Sequence, residues 1–193
     1  MKRPLLFLVV LSLSSTALAG PDERVTEVRK WYETVQKSKP AAERKIAFEA
    51  ESEPLSGDIT IRDFEGGWKT VTASYGAGDH AMIDEQSYFK DGKLFFTCIV
   101  TIYWRFHPDS TDEKPKTIDT RTEDRYYYDD KTCVRRLTRS ATSDDTEKLA
   151  VRVAKLEQKQ IEPGDEAKTV LERAGKLLVA KTAAEVLAAF GVK

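Results

Sequence analysis

The stretch Leu94-Phe95-Phe96-Thr97-Cys98-Ile99-Val100-Thr101-Ile102-Tyr103-Trp104-Arg105-Phe106 decides the fold. It contains no Pro or Gly and is rich in β-branched and aromatic residues, which is typical of a central β-strand. A strand sends alternate side chains to opposite faces. The pattern therefore predicts a core face of Leu94, Phe96, Cys98, Val100, Ile102, Trp104 and Phe106. The half-wet face is predicted to be Phe95, Thr97, Ile99, Thr101, Tyr103 and Arg105.

Turns on both sides join this strand to further strands. The preceding Asp91-Gly92 pair tolerates the positive φ of a tight hairpin. After the polar loop 107–116, the run 117–128 is predicted to return as a strand, and 132–139 as another. Matching core face to core face predicts a register with Cys98 opposite Tyr126 and Ile102 opposite Thr122. A slip of one residue would exchange the faces of every side chain.

The rest of the chain predicts more strands and a set of helices. Short strand-like segments at 45–49, 58–62 and 68–75 alternate with Pro and Gly turns, which indicates a meander. Before them, Val25, Val28, Tyr32 and Val35 recur at helical spacing within 22–39. After Ser140, helical patterns follow, the first with Asp144 as its cap and the last with a Thr182–Glu185 capping box.

Together these patterns predict one α+β domain spanning residues 20–193. Its expected parts are a helix at 20–40, an antiparallel β-meander sheet at 44–139 and two to three helices at 143–191. The apolar sides of the helices need a partner, and the apolar face of the sheet is the obvious one. We therefore expect the N-terminal and C-terminal helices to pack on one face of the sheet.

Residues 1–19 have the composition of a cleavable signal peptide. Met1-Lys2-Arg3 is basic, residues 5–13 are apolar, and Ala17-Leu18-Ala19 is a small-x-small cleavage signal. The apolar run is too short for a permanent transmembrane helix. No Cys follows the cleavage signal directly, so a lipoprotein is not expected. The sequence thus predicts a periplasmic or secreted protein.

Charge and hydropathy exclude several partners. The chain has 31 Lys and Arg against 32 Asp and Glu, a formal net charge of −1. This balance offers no electrostatic basis for nucleic-acid binding. No apolar run after residue 20 is long enough to span a membrane, so no membrane span is expected.

Cys98 and Cys133 are the only cysteines. An oxidising compartment favours a disulfide between them. The meander argues against it, because strands on either side of a middle strand are about 9.5 Å apart and a disulfide needs less than about 7 Å. The alternative is a pair of buried thiols.

Few residues point to catalysis or metal binding. His80 and His107 are the only imidazoles, and neither belongs to a metal motif, a phosphate-binding loop or a nucleophile motif. No cofactor is expected. Asp124 is predicted to face the core, where Thr122, Tyr126 or Arg136 would have to satisfy it. A hydrolase built from Asp79, His80, His107 and Asp124 is the enzymatic alternative.

Two hairpin segments resemble those of uncharacterised exported bacterial proteins. The segments are Tyr88-Phe89-Lys90-Asp91-Gly92-Lys93-Leu94 and Asp124-Arg125-Tyr126-Tyr127-Tyr128-Asp129. These proteins carry Tyr-Phe-x-Asp-Gly-Lys-Leu and Arg-Tyr-Tyr-Phe-Asp runs, and the hairpins are also distantly similar to MORN repeats. This chain lacks the fixed short period of MORN repeats. The resemblance covers about 50 residues and implies a sheet of meandering hairpins without a known reaction.

Three hypotheses of function follow. The leading one is a non-enzymatic binding or accessory domain of the cell envelope, whose partner is an unknown envelope protein or a small ligand. Its expected binding residues, on the outer sheet face and the adjoining loop, are Tyr103, Arg105, Arg125, Tyr127 and His107. The alternatives are the small extracytoplasmic hydrolase and a structural protein that dimerises through its C-terminal helices.

Overall fold

The computed structural model describes residues 20–192, so the predicted signal peptide lies outside the described residues. The described part begins with a helix, continues through seven strands, and ends with helices that flank one more short strand. The elements are α1 (Pro21–Lys37), β1 (Ala42–Glu49), β2 (Leu55–Asp63), β3 (Trp68–Ala77), β4 (Ala81–Lys90), β5 (Lys93–Phe106), β6 (Thr117–Asp129), β7 (Thr132–Ser143), α2 (Thr146–Lys155), β8 (Lys159–Ile161), α3 (Gly164–Val179) and α4 (Ala183–Ala189).

The strands form one eight-stranded sheet in the order β1 to β8, and each strand is antiparallel to the next. Short turns make this order possible. Asp91 (φ 50°) and Gly92 (φ 78°) take the left-handed conformation that a tight hairpin requires between β4 and β5. The α+β class and the antiparallel meander predicted from sequence are confirmed. The strand β8 is an addition that the sequence pattern did not predict.

Helices pack on both faces of the sheet, because alternate residues of β6 belong to different apolar clusters. Tyr126 and Tyr128 pack in a cluster with α3 and α4, and Tyr127 packs in a cluster with α1. We call the face of Tyr126 and Tyr128 the covered face. We call the face of Tyr127 the open face.

The covered face is sealed by α3 and α4. The side chains of Val170, Leu177 and Val186 are at most 1% exposed against the sheet. A buried ion pair fixes α3 to β4, because Arg173 donates through Nε (3.0 Å) and Nη2 (2.7 Å) to Oε2 of Glu85. The apolar sides of α3 and α4 therefore face the sheet.

The open face carries the other two helices at separate places. In α1, Val25, Val28 and Val35 are buried, and the Trp31 ring meets Phe95 edge-on at 5.3 Å. This corrects the expectation that all helices share one face. Three aromatic residues of β4–β6 form the floor of the α1 cluster: Tyr88, Phe96 and Tyr127.

The helix α2 lies over the open face of β6 and β7. Two hydrogen bonds join it to β7. Arg139 Nη1 of the strand donates to the Ala154 carbonyl of the helix at 2.8 Å, and Arg152 Nη1 of the helix donates to Ser143 Oγ of the strand at 3.1 Å. Its N-cap is Asp145, which accepts from the Lys148 amide, and not the predicted Asp144. The predicted capping box of Thr182 and Glu185 at α4 is confirmed.

The predicted register between β5 and β6 is wrong by one residue. Cys98 pairs with Arg125 and Ile102 pairs with Arg121. The ladder between β5 and β6 has no bulge, so the error lies in the matching of faces. Two bulges lie in the neighbouring ladders, where Phe95 of β5 is an extra residue against β4 and Val134 of β7 is an extra residue against β6. Leu94 therefore points to the covered face and Phe96 to the open face, although the sequence pattern placed them together.

Among residues 20–192, no helix combines the length and the hydropathy required to cross a membrane.

Candidate functional site

Part of the open face between α1 and α2 has no helix over it. Cross-strand pairing arranges its side chains in rows that run across the strands, and neighbours within a row are about 4.8 Å apart. One row is Thr72, Gln86, Cys98 and Arg125, and the next is Ser74, Asp84, Val100 and Glu123. Beyond them, Met82 pairs with Ile102 and Trp104 pairs with Asp119. We call this uncovered area of β3–β6, with the rows just named, the platform.

A polar cavity of about 360 Å³ lies where the platform meets the C-terminal end of α1. Its walls include Thr70, Thr72 and Gln86 of the sheet and Gln36 of the helix. Gln36 Nε2 donates to the Tyr88 hydroxyl (2.9 Å), which donates to Gln86 Oε1 (3.0 Å). This chain fixes both amides, and it leaves the Gln86 NH₂ group and the Gln36 oxygen available to a ligand.

A smaller cavity of about 110 Å³ adjoins it and shares Gln86. Its other walls are Tyr32, Asp84, Phe96, Cys98, Val100 and Arg125. The Tyr32 ring is 36% exposed, and its orientation is held by Tyr88 (5.1 Å between centroids) and Phe96 (5.7 Å). The two cavities meet at Gln86 beside α1, and we call them together the groove.

Apolar side chains extend the groove along β5. Val100, Ile102, Trp104 and Phe106 share the open face, and Phe106 is 61% exposed. Met82 of β4 beside them is 57% exposed. The Trp104 indole is fixed, because Nε1 donates to the Asp79 carbonyl (3.2 Å) and the ring lies 4.0 Å from the His80 ring. Val100, Ile102 and Trp104 are partly exposed, and together with Met82 and Phe106 they form an apolar area of the kind found at binding sites.

Charges on the floor of the platform are paired internally. Glu123 accepts from Arg125 (2.6 Å) and from Arg139 (2.7 Å). Burial raises the pKa of Glu123, but the hydrogen bonds and charges of Arg139 and Arg125 outweigh it and hold the pKa below its ordinary value. Glu123 is therefore a structural anion at neutral pH.

The thiol of Cys98 is a poor nucleophile. Burial and the nearby Glu123 carboxylate raise the pKa of Cys98 to about 11, although Arg125 acts in the opposite direction. A thiol with this pKa carries little thiolate at neutral pH, and the thiolate is the reactive form. Its contribution to the groove is therefore apolar.

The two cysteines do not form a disulfide. Both are free, and Cys98 packs in the cluster of the open face and Cys133 in that of the covered face. The bulge at Val134 accounts for this arrangement, since it turns Cys133 to the face opposite Leu137. The alternative of two partly buried thiols describes the structure.

The five binding residues expected from sequence do not share one surface. Tyr103 and Arg105 are exposed on the covered side of β5, and Arg125 lines the groove on the open side. Tyr127 is 3% exposed beneath α1, and His107 lies in the loop after β5. The one-residue register difference separates the first two from Arg125, so only Arg125 belongs to the candidate site.

The four residues of the hydrolase hypothesis do not form one site either. Asp124 faces the covered side, where Arg136 donates to it at 3.1 Å, as expected for a buried acid. Asp79 and His80 lie in the turn before β4. His107 Nδ1 accepts from the Asp109 amide at 3.1 Å. No group of three or more His, Cys, Asp or Glu side chains in the described part of the chain has the geometry of a metal site.

Sequence reasoning missed most of the groove. Tyr32 had been assigned to the apolar stripe of α1, and Gln36 and Gln86 carry no motif. Their signal was indirect: a polar residue at alternate positions of β4 and a Tyr at the edge of a Val stripe. Only the packing of α1 on the paired strands brings these residues side by side, through Tyr88.

Comparison with known proteins gives no relative: no protein-family model, no curated protein and no solved structure matches the chain.

Proposed function

We propose that this chain is an exported, non-enzymatic binding domain of the cell envelope, and that the platform is its ligand-binding site. The observation that carries the proposal is the uncovered part of the open face. It presents apolar side chains to water beside amides and a phenol ring that packing and hydrogen bonds already hold in position. Preorganised groups of this kind lower the entropic cost of binding.

The composition of the groove also supports binding over catalysis. It combines Tyr32, Gln36, Gln86 and Arg125, and its one thiol has a pKa of about 11. Of the two carboxylates at the groove, Asp84 in its wall accepts from Ser74 (2.7 Å), and Glu123 beside it is neutralised by two arginines. These groups recognise a ligand through hydrogen bonds and stacking. They do not form the base-and-nucleophile pair that hydrolysis requires.

Site-specific photo-crosslinking in the producing cell tests the proposal. A photoreactive amino acid replaces Gln86 in the groove, and in a matched protein it replaces the exposed Arg105 on the other side of the sheet. We expect an adduct of defined mass from position 86 that does not form from position 105. Equal adducts from both positions, or no adduct from position 86, would refute a ligand site on the platform.

The export part has its own measurement. N-terminal sequencing of the protein recovered from the cell envelope or medium is expected to begin near Gly20. A protein that retains Met1 and stays in the cytoplasm would contradict export without touching the binding proposal.

A further inference from the structure

We propose that the ligand of the platform is an uncharged oligosaccharide chain that lies along β5 from the groove beside Tyr32 toward Phe106. This inference rests on the proposed binding function and names the chemical class of the ligand. Three features of the platform lead to it: its charge balance, its open shape and its mixture of rings and hydrogen-bonding groups.

The charges around the platform cancel. Beyond the area that α1 covers, the open face of strands β3–β7 holds three acids and three bases. They are Asp84, Asp119, Glu123, Arg121, Arg125 and Arg139. Arg125 and Arg139 are occupied by Glu123, and Asp84 accepts from Ser74 at 2.7 Å. In the polar cavity, Arg62 is likewise paired with Glu43 at 2.7 Å. Neither a phosphate nor a polyanion finds a cluster of free cations here.

The platform is long and open. The eight residue steps from Cys98 to Phe106 span about 26 Å at about 3.3 Å per residue. Only the end beside α1 has walls, because the helix stands over one side of the groove. A ligand lying on the platform therefore keeps one side in water. A chain of sugar rings suits this geometry, since each ring has an apolar C–H face and a rim of hydroxyl groups.

The side chains match both parts of such a ring. Tyr32 and Trp104 provide flat aromatic surfaces in fixed orientations, and Phe106 provides a third. Beside the first ring, Gln86, Asp84 and Arg125 provide planar groups that hydrogen-bond to neighbouring hydroxyls. The hydroxyls of Thr70 and Thr72 line the cavity next to Gln86. The polar groups thus lie beside the first ring, and the other two rings lie farther along β5.

An aliphatic chain fits less well. Binding pockets for apolar small molecules enclose about 70–90% of the ligand surface. On the platform, the apolar row of Ile102, Trp104 and Phe106 forms a floor without walls. An acyl chain lying there would leave much of its surface in water, so its burial would contribute little.

Calorimetric titration of the mature protein tests the inference. The probes are neutral oligomers of glucose and of N-acetylglucosamine with two to six units. We expect binding that strengthens with chain length, because a longer chain reaches more of the platform. Affinity should change less than about twofold between roughly 0.05 and 0.5 M NaCl, since no charge pair holds the ligand.

Variants locate the site. Tyr32→Ala and Gln86→Ala are each expected to weaken binding about tenfold, which corresponds to one stacking contact or one hydrogen-bonding group. The matched controls are Tyr103→Ala, an exposed tyrosine on the other side of β5, and Gln160→Ala on the edge strand β8, and both should bind like the wild type. Circular dichroism confirms that each variant is folded.

The outcomes separate this inference from the proposed function. Suppose that no neutral oligomer binds, that a fluorescent fatty acid binds instead, and that Gln86→Ala weakens the binding of the fatty acid. The oligosaccharide inference is then refuted, and the proposed binding site is retained. If Tyr103→Ala weakens oligomer binding as much as Tyr32→Ala, the platform is not the site of binding. If no neutral oligomer binds at all while position 86 crosslinks to a protein, the inference is also refuted, although the proposed function survives.

Discussion

The two faces of the same sheet differ in how much of their area the helices cover. On the covered face, Ile59, Ala73 and Tyr126 are fully buried under α3 and α4. On the open face, α1 and α2 stand apart, and Ile102 and Trp104 between them remain partly exposed. Both faces carry apolar residues from the same strands. The difference lies in which helices cover them.

We infer from this comparison that the covered face supplies most of the stability, and the platform on the open face is the surface that we propose for binding. Burial of apolar surface is the main favourable contribution to folding, and only the covered face buries its residues along most of the sheet. A substitution on the covered face should therefore affect unfolding, whereas one on the platform should affect ligand binding. The predictions below test this division, in order of decreasing effect.

The largest effect is expected from Arg173→Met. It leaves the Glu85 carboxylate buried at 1% exposure without its partner, and one of its oxygens already lacks a hydrogen bond within the described residues. Breaking a buried pair in this way costs about 3–5 kcal/mol. Urea denaturation followed by circular dichroism measures the loss in the free energy of unfolding.

The control for this prediction is the double variant Glu85→Gln with Arg173→Met, which removes both charges. It should recover a large part of the lost stability, because no buried charge remains. A single Arg173→Met variant as stable as the wild type would show that the pair does not hold α3 on the covered face.

A matched pair of isoleucines compares the faces directly. Ile59→Ala on the covered face should reduce the free energy of unfolding by about 3 kcal/mol, because it leaves a cavity in a closed core. Ile102→Ala on the platform should cost about 1 kcal/mol or less, since the side chain is already partly in water. Equal losses in urea denaturation would contradict the division between the faces.

The pH dependence of stability should reveal Glu123. The pKa of Glu123 is lowered in the folded protein. Its contribution to the free energy of unfolding is therefore fully present above the pKa of the unfolded chain, about 4.3, and is lost as the pH falls through the folded pKa. Glu123→Gln should cost about 2 kcal/mol at pH 7, and this difference should shrink below about pH 4.

Glu172→Gln serves as the control for this titration, because Glu172 is exposed on α3. It should follow the wild type at every pH. A difference between the Glu123→Gln variant and the wild type that stays constant from pH 7 to about pH 3 would contradict the stabilising role of the anion.

The smallest effect is expected from reducing agents. Because Cys98 and Cys133 lie on opposite faces as free thiols, dithiothreitol should leave the melting temperature unchanged. Thiol labelling of unfolded, unreduced protein should add two labels per chain by mass spectrometry. A protein that takes up no label until it is reduced would place a disulfide where the structure has none.

Sequence patterns predicted the elements well, because local rules set them. The Asp91-Gly92 turn, the Val stripe of α1 and the capping box of α4 depend on neighbours within a few residues, and all three appear in the structure. Asp124 was expected to find a donor in Thr122, Tyr126 or Arg136, since a carboxylate turned to the core needs one, and Arg136 is the donor in the structure.

The candidate site was hardly predictable, because it depends on pairing between strands. A bulge adds one residue without leaving a mark in the composition, and the bulge at Phe95 exchanges the faces on either side of it. The grouping of Tyr103 and Arg105 with Arg125 failed for another reason. The ladder between β5 and β6 pairs Arg125 with Cys98, which places Arg125 on the face opposite Tyr103 and Arg105. Gln86 and Tyr32 were recognised as candidate site residues only because the folded structure places them next to each other.

The amino-acid sequence by itself determined that this chain forms a meandering antiparallel sheet with helices at its ends. It did so because strand alternation, turn residues and helix caps act over short distances. Tertiary structure alone decided which side of each strand faces a helix, where the cysteines lie and which area remains uncovered. Those features depend on the register of strands and on the direction from which each helix returns to the sheet, and contacts between residues far apart in the chain set both.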